Sequence, residues 1–200
     1  MTLYNDKKFK KKLKKSLSES RYNHTLGVAY TAAALAMCHG CCIDKAYFAG
    51  LLHDCAKCIP NDKKLVLGKK HNLITNEAYH KYPDLFHAEL GVVIAKAKYN
   101  VNDEDILNAI AYHTTGKPDM SLLEKIIYIA DYIEPSRQSI PNLTKIRELA
   151  YKDIDAALLQ ILNQTITYVK SKKSDFLPIT LEAYEYYKNK NSQNMNTERI

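Results

Sequence analysis

Apolar residues recur at helical spacing along almost the whole chain, and short polar or turn-forming runs break the pattern into segments. Phe9, Leu13 and Leu17 mark one side of Asp6 to Ser16, with lysines elsewhere. Ser18 or Ser20 can cap a long helix reaching about Cys38, and Gly40 stops it. Asp44 is placed to cap a helix over Lys45 to about Ala56, closed off by Pro60. Shorter helical pieces are expected at Asp62 to Lys70 and Asn76 to Tyr82. Pro83-Asp84 opens a helix over Leu85 to Tyr99, and Asn102 opens one over Asp103 to His113 that ends by Gly116. Ser121 and Glu124 have capping-box spacing before Leu122 to Ile133, which Pro135 terminates. Asn142 to Tyr151, Ile154 to Lys172 and Thr180 to Asn189 complete the series. No segment alternates as a strand does, and glycine and proline are scarce at 6 each. The pattern predicts an all-α, single-domain helical bundle.

With 200 residues and 46% hydrophobic content, the chain can bury one substantial core and needs no second domain. Residues 1–17 read as a basic amphipathic helix packed on the bundle, residues 18–190 as the bundle itself, and residues 191–200 as a frayed polar tail. The net charge of +7 suggests nucleic acid until it is located. Residues 1–21 hold seven lysines and Arg21 against Asp6 and Glu19, so nearly all of the excess lies there. The favoured interpretation is an amphipathic helix with a solvated basic face and no nucleic-acid partner. The competing class is an RNA-binding or ribosome-associated module, whose binding through these lysines would weaken steeply with salt.

Five cysteines, an odd number, with no convincing export signal, argue for reduced thiols and a cytoplasmic protein. Residues 25–43 lack Asp, Glu, Lys and Arg, but the stretch is rich in alanine, contains Tyr30 and Thr31, and is interrupted by His39 and Gly40. A buried helix explains it better than a membrane segment. Cys38-x-x-Cys41 and Cys55-x-x-Cys58 have the pairing of a structural zinc site, yet the second pair straddles Lys57 and Cys42 is left over. Small buried thiols are the more ordinary expectation.

Six side chains able to ligate a metal stand out in order: His24, His53, Asp54, His87, His113 and Asp131. A single histidine on an apolar helix is more often a hydrogen-bonded core residue than a ligand. Leu51-Leu52-His53-Asp54 argues otherwise, because an apolar face ends there in an imidazole beside a carboxylate. Their desolvation is unfavourable unless a cation or full hydrogen bonding compensates. Asp131 is the second anomaly, set between Ile126-Ile127-Tyr128-Ile129-Ala130 and Tyr132-Ile133 in the most apolar helix. Lys125 and Arg137 are both poorly placed to pair with it along the same face, which leaves a metal as its expected partner. Adjacent residues on a helix point about 100° apart. His53 and Asp54 can therefore share an ion only near a helix end or at a cavity corner, with other ligands supplied by other helices.

Five elements in this order carry a resemblance: Arg21-Tyr22-Asn23-His24-Thr25, His53-Asp54-Cys55-Ala56-Lys57, Phe86-His87-Ala88-Glu89, Ala111-Tyr112-His113-Thr114-Thr115-Gly116, and Ile129-Ala130-Asp131-Tyr132-Ile133-Glu134-Pro135 with Arg137. The chain resembles the HD-domain superfamily of metal-dependent phosphohydrolases, and within it the YqeK-like branch, over residues 20–150 and more loosely to the last helix. The resemblance implies an all-helical fold and symmetrical cleavage of diadenosine tetraphosphate to two ADP. It implies iron, as one or two ions, replaceable by manganese or another transition metal, and a homodimer. It implies His24, His53, Asp54 and Asp131 as core ligands. His87 and His113 match positions that either hold a second metal or contact the scissile phosphate, and both roles stay open.

Charge suggests the mechanism. A polyphosphate repels an incoming hydroxide, so the expectation is that a water on the metal attacks a central phosphorus and ADP leaves, with Asp54 as the natural bridge between two ions. Lys57, one turn after Asp54, is expected to clamp phosphate, as are Arg21 and Arg137, and Thr114 can donate a hydroxyl. Other nucleotide substrates remain the alternative within the enzyme class, namely nucleoside mono-, di- or triphosphates and cyclic dinucleotides.

Overall fold

Capping side chains start half of the described helices, close to where the pattern places them. Asn5 accepts from Lys8 N at 3.0 Å and opens α1 (Asp6–Ser16). Ser18 accepts from Arg21 N and opens α2 (Glu19–His39), which Gly40 ends. Then come α3 (Ile43–Leu52), α4 (Asn61–Lys70), a 3-10 turn at Pro83–Phe86, α5 (His87–Tyr99) and α6 (Glu104–Tyr112). Last are α7 (Leu122–Ile133), α8 (Leu143–Ala150), α9 (Ile154–Ser171) and α10 (Pro178–Thr197). The computed structural model describes residues 4–73, 83–171 and 177–197, and among these no strand occurs. No helix among them is long and apolar enough to cross a membrane. The expected helix at Asn76 to Tyr82 lies outside the described residues.

The core is built on α7. Ser121 Oγ accepts from Glu124 N at 3.3 Å, and the Glu124 carboxylate accepts from Ser121 N at 2.6 Å, closing the capping box. Ile126, Ile127, Ile129 and Ala130 are fully buried, so this helix has protein around most of its circumference. α2 crosses α3 closely because residue 50 is glycine. A Cβ there would lie 2.9 Å from Ala29 Cα, tighter than packed atoms allow. That close crossing brings His53, three residues beyond Gly50, within 5.4 Å of His24, ring centre to ring centre. α1 lies on the outside with Phe9, Leu13 and Leu17 buried, and Phe9 meets Phe48 and Tyr99 edge-on at 5.5 and 5.1 Å. α10 is tied down by Tyr187, whose hydroxyl accepts from Met120 N at 2.6 Å.

Four boundaries differ from the sequence pattern in instructive ways. α3 begins at Ile43 with Cys42, not Asp44, as its cap, and it ends at Leu52 instead of Ala56. The His53 ring donates Nδ1–H to the Gly50 carbonyl at 2.6 Å, taking the acceptor that a continuing helix would offer to the Asp54 amide. The chain then descends through tight turns, Cys55 N to Leu52 O and Lys57 N to Asp54 O. Ahead of α5, Pro83–Phe86 winds as a 3-10 turn, where Leu85 to Tyr99 reads as continuous helix. α10 runs on to Thr197, past Asn189, because no glycine or proline intervenes.

Candidate metal centre

Each of the four sequence-singled histidines is oriented by an acceptor on its Nδ1. His53 faces the Gly50 carbonyl, His87 the Asp84 carbonyl and His113 the Ile110 carbonyl, in every case three residues earlier in the chain. His24 Nδ1 meets Glu134 Oε1 at 3.0 Å. Carbonyls and carboxylates only accept, so each Nδ1 carries the proton and each Nε2 presents a lone pair. All four Nε2 atoms turn inward onto two carboxylates.

Asp54 is the centre of this arrangement. Its Oδ2 lies 3.4 Å from His53 Nε2 and 3.8 Å from His24 Nε2. Its Oδ1 lies 3.1 Å from His87 Nε2 and 3.7 Å from His113 Nε2. One carboxylate thus addresses two separate imidazole pairs. Asp131 Oδ1 closes the first side, 3.0 Å from His24 Nε2 and 4.0 Å from His53 Nε2. His24, His53 and Asp131 form one group whose ligand atoms lie within 4.8 Å of one another, and His53, Asp54 and His113 form another.

These residues fit a metal. The Nε2 atoms of His24 and His53 are buried with no hydrogen-bond partner, a condition tolerated when a cation accepts the lone pairs. His87 Nε2 and His113 Nε2 approach to 3.1 Å with lone pair toward lone pair, which likewise calls for a positive charge between them. Burial alone would raise the Asp54 carboxyl, but the rings of His53, His113 and His87 hold it well below the usual carboxylate range. Burial also opposes ionisation of Asp131, and its neighbours His24, His53, His113 and Arg137 override it and hold the carboxyl low. Burial pushes the His87 ring below the ordinary imidazole value despite Asp54, keeping it neutral and able to ligate.

Cationic and hydroxyl side chains rim the cavity. Arg21 Nη1 donates to Asp54 Oδ2 at 2.8 Å. Arg137 donates through Nη2 to Asp131 Oδ1 at 2.6 Å and through Nε to the Asp131 carbonyl at 2.9 Å. This corrects the expectation that Arg137 is poorly placed for Asp131. α7 ends at Ile133 and the turn after Pro135 folds Arg137 back over the helix terminus. Nor is Asp131 sealed in apolar surroundings, since its side chain is 23% exposed. Thr114 Oγ1 lies 3.1 Å from His113 Nε2 and 3.4 Å from His87 Nε2. Lys57 Nζ is held by Asp84 Oδ2 at 2.7 Å, with His87 Nδ1 3.5 Å away. The cysteine alternative does not form. Cys55 donates to the Gly91 carbonyl and Cys38 to the Tyr151 carbonyl, and no group able to hold an ion among the described residues includes a thiol.

Two acidic residues escape sequence reasoning. Glu134, 1% exposed, holds His24 and itself accepts from Ser136 N at 2.7 Å. Burial would raise its carboxyl, but Ser136 and His24 hold it low. The signal available was its place three residues after Asp131, one helical turn on. Gly27 makes room for it, since a Cβ at residue 27 would lie 2.6 Å from Glu134 Oε2. Asp84, next to Pro83, carries no such signal.

An all-helical fold that turns four imidazole lone pairs onto two carboxylates in one cleft defines a metal-dependent hydrolase. The HD domain family matches residues 21–136, and the chain belongs to that family. It is 39% identical to a symmetrical bis(5'-nucleosyl)-tetraphosphatase of Bacillus subtilis, over 87% of this chain and 92% of that protein. It is 36% identical to the protein of the same name from Staphylococcus aureus, over 92% of this chain and 94% of the relative. A crystal structure from Clostridium acetobutylicum, described as a "predicted HD superfamily hydrolase involved in NAD metabolism", superposes with a TM-score of 0.90 at 40% identity, covering 94% of this chain and 98% of that one.

Proposed function

We infer that this protein cleaves diadenosine tetraphosphate symmetrically, giving two molecules of ADP. The observation that carries the chemistry is Asp54, one carboxylate set between two imidazole pairs. The substrate is supported by relatives named for this reaction that match about nine-tenths of the chain. Water adds to a central phosphorus, the bond from that phosphorus to the bridging oxygen breaks, and the second ADP departs.

His24, His53, Asp54 and Asp131 would hold the metal, and His87 and His113 with Asp54 would hold a second ion. When bound, the metal supplies Lewis-acid charge at the phosphoryl oxygens and lowers the pKa of water. Iron is the metal of this reading, with manganese or another transition metal as a substitute, because mixed imidazole and carboxylate donors suit them. Arg21 and Arg137 neutralise Asp54 and Asp131 and keep further N–H donors for phosphate oxygens. Thr114 lies against the inward Nε2 of His87 and Lys57 against its outer Nδ1 edge, from which its long side chain would reach a phosphate beside that ring. The five free cysteines suit a reducing cytoplasm. The family resemblance adds a homodimer, which light scattering tests.

The decisive experiment is a substrate panel run with metal analysis. Diadenosine tetraphosphate should be the best substrate and ADP the sole product. AMP and ATP in equal amounts would mean asymmetric cleavage and overturn the assignment, as would a clear preference for nucleoside mono-, di- or triphosphates or cyclic dinucleotides.

A further inference from the structure

Lys64, on α4, is 1% exposed and the only buried lysine among the described residues. A buried ammonium persists when it is paired and hydrogen-bonded. Its nitrogen reaches Asn61 Oδ1 and Asp84 Oδ1, both at 3.1 Å. The other oxygen of the same carboxylate, Asp84 Oδ2, takes Lys57 at 2.7 Å. The Asp84 main-chain carbonyl accepts from His87 Nδ1. Asp84 therefore stands between a fixed cation beneath it and a movable one beside the metal centre.

The two halves of this triad differ in access. Lys64 is buried, so its bond to Asp84 is shielded from bulk water and from an incoming phosphate. Asp84 is 58% exposed and Lys57 24%, and Lys57 has a long flexible stem. Exposed ion pairs of this kind are weak. A polyphosphate entering beside His87 offers Lys57 several anionic oxygens, against one carboxylate already shared with a second ammonium.

We propose that Asp84 is a positioning residue that parks Lys57 beside the metal centre and releases it to the substrate's phosphates, while buried Lys64 keeps Asp84 neutralised after the release. The proposal rests on the assignment of Lys57 to phosphate given above. Lys57 exchanges one anion for another. Lys64 lowers the cost of that exchange, because the carboxylate left behind is not stranded without a cation.

Calorimetric titration of ADP into the manganese-loaded full chain tests this. Lys57→Met should weaken binding. Asp84→Asn should tighten it by about two- to five-fold, the range expected for losing a competing exposed ion pair, and the gain should vanish in the Lys57→Met background. Lys64→Met should weaken binding by a similar factor, because Asp84 then has Lys57 as its main cation. If Asp84→Asn alone fails to fold, the Lys64→Met/Asp84→Asn pair, which leaves no buried charge, should show the same Lys57-dependent gain. No gain, or an equal gain with and without Lys57, overturns the exchange. Lys57→Met binding ADP as tightly as the parent overturns the phosphate assignment of Lys57 and the exchange with it.

Discussion

His87 Nε2 and His113 Nε2 face each other across 3.1 Å, and both rings have already committed their Nδ1 proton to a main-chain carbonyl. Neither has a proton to offer the other, so a cation relieves the contact. His113→Ala is expected to lose one metal ion per chain by elemental analysis while the ion at His24, His53 and Asp131 stays. Turnover should fall by about a hundredfold or more. Unchanged metal content would assign this pair to the substrate instead.

Asp54 touches both sides of the centre, so its loss should be more severe than that of any single histidine. Asp54→Ala is expected to abolish metal retention and turnover together, read by elemental analysis and ADP release. Full metal content with normal activity would remove Asp54 from the site altogether.

Gly27 and Glu134 are coupled through space, with 2.6 Å between a would-be Cβ and Oε2. Gly27→Ala should displace the carboxylate that orients His24. The expected result is an overpacking loss of about 1–3 kcal/mol in urea melts and weaker metal binding by about 10- to 100-fold. Glu134→Ala should reproduce the metal defect without the clash. Unaltered metal affinity in both variants would make Glu134 merely structural.

The basic helix is anchored by its apolar side. Phe9→Ala removes a ring packed against Phe48 and Tyr99 and should lower stability by about 3–5 kcal/mol. Replacing the exposed Lys7, Lys11 and Lys14 by glutamine touches nothing in that packing, and hydrolysis and melting should stay as in the parent. Salt-sensitive RNA binding that disappears in the glutamine variant would revive the nucleic-acid role.

Asp84 gives the fold an acid sensitivity with a defined sign. Burial raises its carboxyl, but Lys57 and Lys64 outweigh burial and leave it below the ordinary value, which is near 4. The unfolded chain therefore binds more protons in acid. The stability Asp84 contributes is complete above about pH 4 and disappears as pH falls through the lowered folded-state value. Urea melts across this range should show a shallower acid loss for Asp84→Asn than for the parent. Parallel profiles would mean that the triad does not couple to folding.

Much of this was legible beforehand. Helical periodicity fixes the class, and the capping box at Ser121 and Glu124 places α7 to the residue. The six side chains that converge around Asp54 stand out in the sequence because imidazoles and carboxylates interrupt apolar runs. What stayed hidden depends on where chains cross and turn. The ending of α3 at Leu52 is caused by a ring-to-carbonyl bond that no propensity encodes. Arg137 reaches Asp131 only because the chain reverses after Pro135. Lys64 looks like any lysine of a polar helix, and the packing of α4 on the Pro83–Phe86 turn and on α5 makes it a buried charge.

The six proposed ligands belong to α2, the turn after α3, α5, the end of α6 and α7. An ion seated among them would cross-link parts of the chain more than a hundred positions apart, so no helix that carries one of these donors could peel away without surrendering the ion. The apo and loaded forms should therefore melt as different solids, with the midpoint climbing as free metal rises and the last helix, which supplies no donor, loosening first.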